Sequence, residues 1–152
     1  ALEIDQILRQ RVDIGKQQFR GRYLFAGGDT AQRPFDLLAG PELGAVAIVA
    51  AVSLACGKPF VIVRKGAKGY GTDKAMEGKA EPGQKVVMVE DVVTSGGAAL
   101  MAADKLREAG LEVGTLLCVV DREEGGREQI EAKGLAFDPL FTLTSLGIKK
   151  PE

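Results

Sequence analysis

The sequence contains no histidine and no tryptophan, and aromatic residues make up only 5% of it. Without histidine there is no Ser-His-Asp or Cys-His nucleophile pair, no HExxH zinc site and no His-ligated haem. Its two cysteines, Cys56 and Cys118, stand far apart and outside any CxxC spacing. Each lies in an apolar run, so both read as buried free thiols rather than as a disulfide scaffold or zinc ligands. An excess of one charge sign is also missing, since 20 Lys and Arg face 21 Asp and Glu. No global basic field exists to hold nucleic acid or an anionic membrane, and neither is expected as a partner. No stretch reaches the ~18 apolar residues of a membrane span. The first residues, ALEIDQILRQ, carry no apolar signal-peptide run, so the cytoplasm is the expected compartment.

What the chain does have is glycine, 20 of 152 residues, about 13% against a usual ~7%. No collagen-like period accompanies it, so the excess points to tight turns and to loops where backbone approaches a ligand. The length suits one compact domain with a real core.

Residues 2–19 read as an amphipathic helix, and 20–36 as two short strands around a Gly-Gly-Asp turn. From residue 40 the pattern is regular. GPELG (40–44) reads as a turn, 45–56 as an Ala-rich apolar helix closed by Gly57, and 59–65 as a buried strand. Residues 66–83 hold five glycines and no periodicity, a long loop of the kind that is usually functional. A second buried strand at 85–91 ends in a VVTSGG turn, followed by a helix over 97–110. Then come a strand at 112–121, a polar helix at 123–134 and a strand at 135–144. Strands alternating with helices imply an α/β fold, a mainly parallel twisted sheet with helices on both faces. Ligands of such sheets sit at the carboxyl ends of the strands. A single domain is expected, with 1–39 as a small amino-terminal hood and 40–146 as the core.

The stretch VVMVEDVVTSGG (86–97) concentrates the chemistry. An apolar strand delivers two adjacent carboxylates, Glu90 and Asp91, which suit vicinal hydroxyls or a divalent cation. Thr94, Ser95, Gly96 and Gly97 then open a helix, and backbone N–H groups there form an anion cradle that glycine lets a phosphate approach. Residues 64–85 carry Arg64, Lys65, Lys68, Lys74, Lys79 and Lys85 against Asp73, Glu77 and Glu81. A basic loop of this kind suits a diphosphate leaving group.

VMVEDVVTSGGAAL resembles the phosphoribosyl pyrophosphate (PRPP) signature of type I phosphoribosyltransferases. RKGAKGYGT (64–72) with MEG (76–78), VVDREEGG (119–126) and TLTSL (142–146) are similar to segments of the orotate phosphoribosyltransferase branch. The resemblance runs from about Gly40 to Leu146. It implies the type I phosphoribosyltransferase fold and the Mg²⁺-dependent conversion of orotate and PRPP to orotidine 5′-monophosphate and pyrophosphate, a step of pyrimidine (UMP) biosynthesis. By resemblance, Arg64, Lys65, Lys68, Tyr70, Glu90, Asp91, Thr94, Ser95, Gly96, Gly97 and Ala98 would bind PRPP. Glu90 and Asp91 would take the ribose hydroxyls, residues 94–98 the 5′-phosphate, and the basic loop and the 40–44 turn the pyrophosphate. Thr94 and Arg122 would contact orotate, and a guanidinium fork suits its carboxylate. Lys68 and Asp91 are the candidate catalytic residues. Mg²⁺ would be held mainly by PRPP, near Glu90 and Asp91, with no direct protein ligand assigned. In the family the basic loop reaches a neighbouring subunit's site, which implies a homodimer.

Two departures stand out. Leu24-Phe25-Ala26-Gly27 aligns with a family L-K-S-G segment, so Phe25 stands where the family carries Lys. The family's helix between the FDL strand and the GPELG turn has no counterpart, which places a shortfall between Asp36 and Gly40, either a shortened variant or a chain joined across missing residues. A phosphoribosyltransferase for another base, or a non-catalytic PRPP- or nucleotide-sensing regulator on the same fold, are the alternatives. A dinucleotide-binding dehydrogenase does not fit, because Gly66-Ala67-Lys68-Gly69-Tyr70-Gly71 lacks GxGxxG spacing.

Overall fold

The computed structural model describes residues 34–66 and 75–148. From Phe35 onward they belong to one compact unit. The expected helix at 2–19 and most of the strand pair at 20–36 lie outside the described residues, and residues 34–36 lead into the first strand without being strand themselves.

Six strands form one sheet: β1 (Leu37–Pro41), β2 (Phe60–Val63), β3 (Met76–Glu77), β4 (Lys85–Val93), β5 (Glu112–Asp121) and β6 (Ala136–Thr142). Their order across the sheet is β3-β2-β1-β4-β5-β6. All pairings are parallel except β2 with β3, which is antiparallel. Three helices connect them: α1 (Ala45–Cys56), α2 (Gly97–Glu108) and α3 (Gly126–Ala132).

β1 shows why both faces are covered. Its five residues are all buried, and alternate side chains leave on opposite faces. Leu37 and Ala39 join a core cluster with Ala99, Ala102, Ala103 and Leu106 of α2. Gly40 instead faces α1, where a Cβ would come within 2.9 Å of Val49 and 3.3 Å of Ala45. The helices therefore lie on both faces of a mainly parallel sheet, as the alternation of elements implied.

Several expectations are corrected. Gly40 and Pro41 do not begin a turn; they finish β1, and the turn starts at Glu42. Glycine at position 40 serves close packing of α1 on the strand. β1 follows directly on Asp36 and is matched to Phe60–Val63 on one side and Val86–Met88 on the other. No helix precedes it among the described residues, so the family helix has no counterpart there. β1 also runs across the expected boundary between hood and core.

β4 extends through Val93, so Glu90 and Asp91 are still strand residues, held by pairings of Val92 with Val120 and of Val93 with Asp121. The expected loop at 66–83 contains β3. Gly78, at φ 114°, lets the chain pass tightly beside β2, where a Cβ would meet Val61 Cγ1 at 3.0 Å. Of the thiols, Cys118 is buried but Cys56 is exposed, and both are free. α1 buries only the stripe Ala45, Val49 and Val52, and Cys56 falls off it. No helix among the described residues is long and apolar enough to cross a membrane.

Candidate active site

Parallel strands send their carboxyl ends to one edge of the sheet, and the exits of β1, β2, β4, β5 and β6 meet there. Glu90 is 8% exposed and Asp91 half-buried. Burial first, then a hydrogen bond to Asp91 and its negative charge, push the Glu90 carboxyl up to about 8 against the opposing pull of the Asp91 N–H and of Lys65. Glu90 Oε1 accepts the Asp91 N–H at 3.3 Å, and Asp91 Oδ1 accepts the Val92 N–H at 2.8 Å.

Asp91 closes against the turn after β1. A Cβ on Gly44 would overlap its Oδ2 and lie 2.5 Å from its Cγ. In the same turn the Glu42–Leu43 peptide is cis. Glu42 Oε1 accepts the Lys65 N–H at 2.8 Å, tying this turn to the exit of β2.

β4 leaves the sheet through Thr94 and Ser95. Gly96, at φ 83°, is the cap of α2 without any side-chain cap bond. The first backbone N–H groups of α2 are thus left for an external acceptor. Ser95, Gly97 and Ala98 are exposed and Thr94 is half-buried. Space beside Gly97 is open, the nearest atom to a built Cβ being Ser95 Oγ at 3.9 Å. An anion has room to reach the backbone here.

Arg64 pairs with Glu77 at 2.7 Å, with both side chains about half-exposed. Lys105 of α2 donates its Nζ to the carbonyls of Arg64, at 2.5 Å, and Lys65, at 3.2 Å. The basic segment is narrower than expected. β3 runs back down the edge of β2, pairing Val63 with Met76 and Ile62 with Glu77. Lys79 follows it away from the carboxyl edge, and Lys85 opens β4 at its opposite end, about 16 Å from Glu90 at ~3.3 Å per residue. Residues 64–75 alone still hold four cations against one carboxylate. Lys68, Tyr70 and Phe25 lie outside the described residues.

Arg122, half-exposed, follows β5. Its N–H donates to the Val93 carbonyl at 2.9 Å, and its guanidinium pairs with Glu124 at 2.9 Å. The edge therefore brings together Arg64, Lys65, Glu90, Asp91, Thr94, Ser95, Gly96, Gly97, Ala98 and Arg122. Sequence reasoning missed Glu42, Lys105 and Glu123 as holders of this edge. Their partners are 20 or more positions away, beyond any local spacing signal.

Among the described residues no three His, Cys, Asp or Glu side chains converge as a metal cage. Glu90 and Asp91 nonetheless supply hard oxygen donors at one point. Two such donors, Glu90 only once its proton is lost, suit a hard cation such as Mg²⁺ that keeps most of its waters.

Residues 23–135 match the phosphoribosyl transferase domain. The chain belongs to the phosphoribosyltransferase family. Its sequence falls with the orotate branch of that family. It is 49% identical over 122 residues to the orotate phosphoribosyltransferase of Pyrococcus horikoshii, covering 78% of this chain and 66% of that one. It is 51% identical over 114 residues to that of Methanocella arvoryzae, covering 75% and 65%. A crystal structure of Mycobacterium tuberculosis orotate phosphoribosyltransferase in complex with PRPP superposes with a TM-score of 0.70 at 32% identity, covering 88% of this chain and 74% of that one. The chain spans 59–66% of the length of the first curated relatives it matches.

Proposed function

We propose that this phosphoribosyltransferase transfers the ribose 5-phosphate of PRPP to orotate, releasing pyrophosphate and forming orotidine 5′-monophosphate for pyrimidine (UMP) biosynthesis. The observation that carries the reading is the β4 exit. A buried Glu90 and an Asp91 closed against Gly44 stand one turn from an open glycine anion cradle. Vicinal hydroxyls and a 5′-phosphate are carried together on one ribose 5-phosphate, so the two features suit the two ends of one molecule. The Mycobacterium tuberculosis relative, which binds PRPP, supports it.

In this reading Glu90 and Asp91 orient the ribose through its vicinal hydroxyls. The cradle formed by Thr94, Ser95, Gly96, Gly97 and Ala98 holds the 5′-phosphate. Arg64 and Lys65, with Lys68 and Tyr70, receive the pyrophosphate. Arg122 binds the orotate carboxylate, and Thr94 lines the base. Orotate N1 attacks the anomeric carbon as the bond from that carbon to the pyrophosphate oxygen breaks. The ribose passes through an oxocarbenium-like state, and the electron pair of the broken bond leaves on pyrophosphate. No histidine base is needed, because the N1 proton passes to the pyrophosphate oxygen that gains the electron pair of the broken bond. The protein's contribution is positioning and electrostatic stabilisation. Mg²⁺, bound to PRPP near Glu90 and Asp91, supplies charge neutralisation to the leaving group. Lys68 is the loop residue most needed in the transition state, and Asp91 the one that fixes the ribose. The working form is a cytoplasmic homodimer whose basic loops reach the neighbouring protomer's site.

The test mixes the protein with PRPP, Mg²⁺ and orotate and follows the loss of orotate absorbance. Turnover with orotate and none with uracil or adenine is expected. PRPP binding without turnover on any base overturns the reading.

A further inference from the structure

Glu123 is the one described non-glycine residue with positive φ, at 56°. That left-handed region suits glycine and, less well, asparagine. The surroundings hold it there. Its N–H donates to Oδ1 of Asp121 at 2.8 Å, and Asp121 is 2% exposed. Its carboxylate reaches the turn after β6. Oε2 accepts the Thr144 N–H at 2.8 Å, and the Thr144 hydroxyl donates to both oxygens, at 2.8 and 3.1 Å. From the same turn the Leu143 N–H donates to the Asp121 carbonyl at 3.1 Å. The residue before this clasp is Arg122, whose own N–H is fixed on Val93.

We propose that Glu123 is a positioning residue: by clasping Thr144 it locks the 121–124 turn in the conformation that presents the Arg122 guanidinium to the carboxylate of the base. The inference rests on the orotate reading above and deepens it. Glu123 touches no substrate. Its carboxylate is spent on Thr144, and its backbone fixes the direction in which Arg122 leaves β5. Releasing the clasp lets the turn relax toward a negative φ and swings Arg122 away. The loss then falls on orotate and spares PRPP, which binds along the β4 exit.

The experiment measures KM for orotate and for PRPP, with melting temperature, for the full chain and for Glu123→Ala, Glu123→Gly, Glu123→Gln and Thr144→Val. Glu123→Ala raises the orotate KM about tenfold, and Thr144→Val, which removes the hydroxyl but keeps the Thr144 N–H bond, raises it about threefold; both leave the PRPP KM within about twofold. The double variant is no worse than Glu123→Ala alone, because without the Glu123 carboxylate the Thr144 hydroxyl has already lost its partner. Glu123→Gly raises the orotate KM equally but melts higher than Glu123→Ala, since glycine accepts the backbone angle. Glu123→Gln, which keeps an acceptor oxygen for Thr144, restores most of the affinity. A Glu123→Ala or Thr144→Val protein that melts lower with unchanged orotate KM, or that loses both substrates equally, overturns the proposal. Wild-type protein that consumes no orotate removes the functional reading and this inference together. Wild-type turnover with unaffected variants removes the inference alone.

Discussion

β4 and β5 leave the sheet side by side, and their exits look alike. Each ends with a glycine in the left-handed region, Gly96 at φ 83° and Gly125 at φ 86°, that opens a helix with no side-chain cap bond. Each places a second glycine directly after the first. The second glycines do opposite work. Beside Gly97 there is open space, whereas a Cβ on Gly126 would overlap the Thr94 carbonyl and lie 2.6 Å from Val93 Cγ1. Gly96 returns the contact, its built Cβ meeting the Gly126 carbonyl at 3.2 Å. The β5 exit is thus the floor on which the β4 exit rests. The first turn leaves its backbone open to solvent. The second spends its backbone on packing.

The same substitution therefore separates the two turns. Gly126→Ala drives a methyl group into backbone that cannot move without shifting residues 93–96. It is expected to cost about 3 kcal/mol of stability, near the upper end for overpacking. Urea unfolding measures this. A loss below about 1 kcal/mol would show that the β4 exit does not rest on Gly126.

Each exit also buries a carboxylate, Glu90 on β4 and Asp121 on β5. Asp121 takes the Glu123 N–H, while burial raises Glu90 to about 8 from 4.5. Folded protein therefore keeps this proton over a range where the unfolded chain has lost it. Between those two values the folded state binds more protons, so stability falls as pH rises through the window and levels off above it. Glu90→Gln, measured without Mg²⁺ or PRPP, is expected to flatten the fall in melting temperature between about pH 5 and 8. An unchanged slope would assign it to another group.

The contrast explains how far sequence reasoning reached. The β4 exit was legible because its signal is local: an apolar strand, two acids and a small-residue turn within a dozen positions. The alternation of strands and helices was legible for the same reason. The role of the Gly125-Gly126 pair is not legible, because spacing does not distinguish a glycine that faces solvent from one that faces a carbonyl of the neighbouring turn. Gly40 was read as a turn for a similar reason, since its partner Val49 lies on the far side of the turn. The clasp of Glu123 on Thr144 spans 21 positions and depends on β5 pairing with β6 in one register. Nothing in either segment alone announces it.

Gly97→Ala sharpens the comparison from the other side. Position 97 has room for a methyl group and no positive φ, so stability should stay within about 0.5 kcal/mol of wild type. The methyl instead occupies the approach to the helix N-terminus. Calorimetric titration is expected to show PRPP affinity lower by about tenfold, equivalent to roughly 1.4 kcal/mol. Unchanged affinity would move the phosphate away from this turn.

The smallest effect belongs to the support beneath the second turn. α3 has only seven residues, too few to be stable by itself. Arg127, in its first turn, pins it to β6. The guanidinium bonds Glu131 Oε1 at 3.0 Å and the Phe137 carbonyl at 3.3 Å, and it lies 5.0 Å from the centre of the Phe137 ring. The Arg127 and Glu131 side chains are about half-exposed, so the ion pair is weak and the ring contact carries much of the gain. Arg127→Ala should cost about 1 kcal/mol and Glu131→Gln less than half of that. Because Arg127 lies on the packing side of the comparison, KM for orotate and for PRPP should stay at wild-type values in both variants. A rise in orotate KM at unchanged stability would mean that α3 shapes the base site directly, and the division between a ligand-facing turn and a supporting turn would fail.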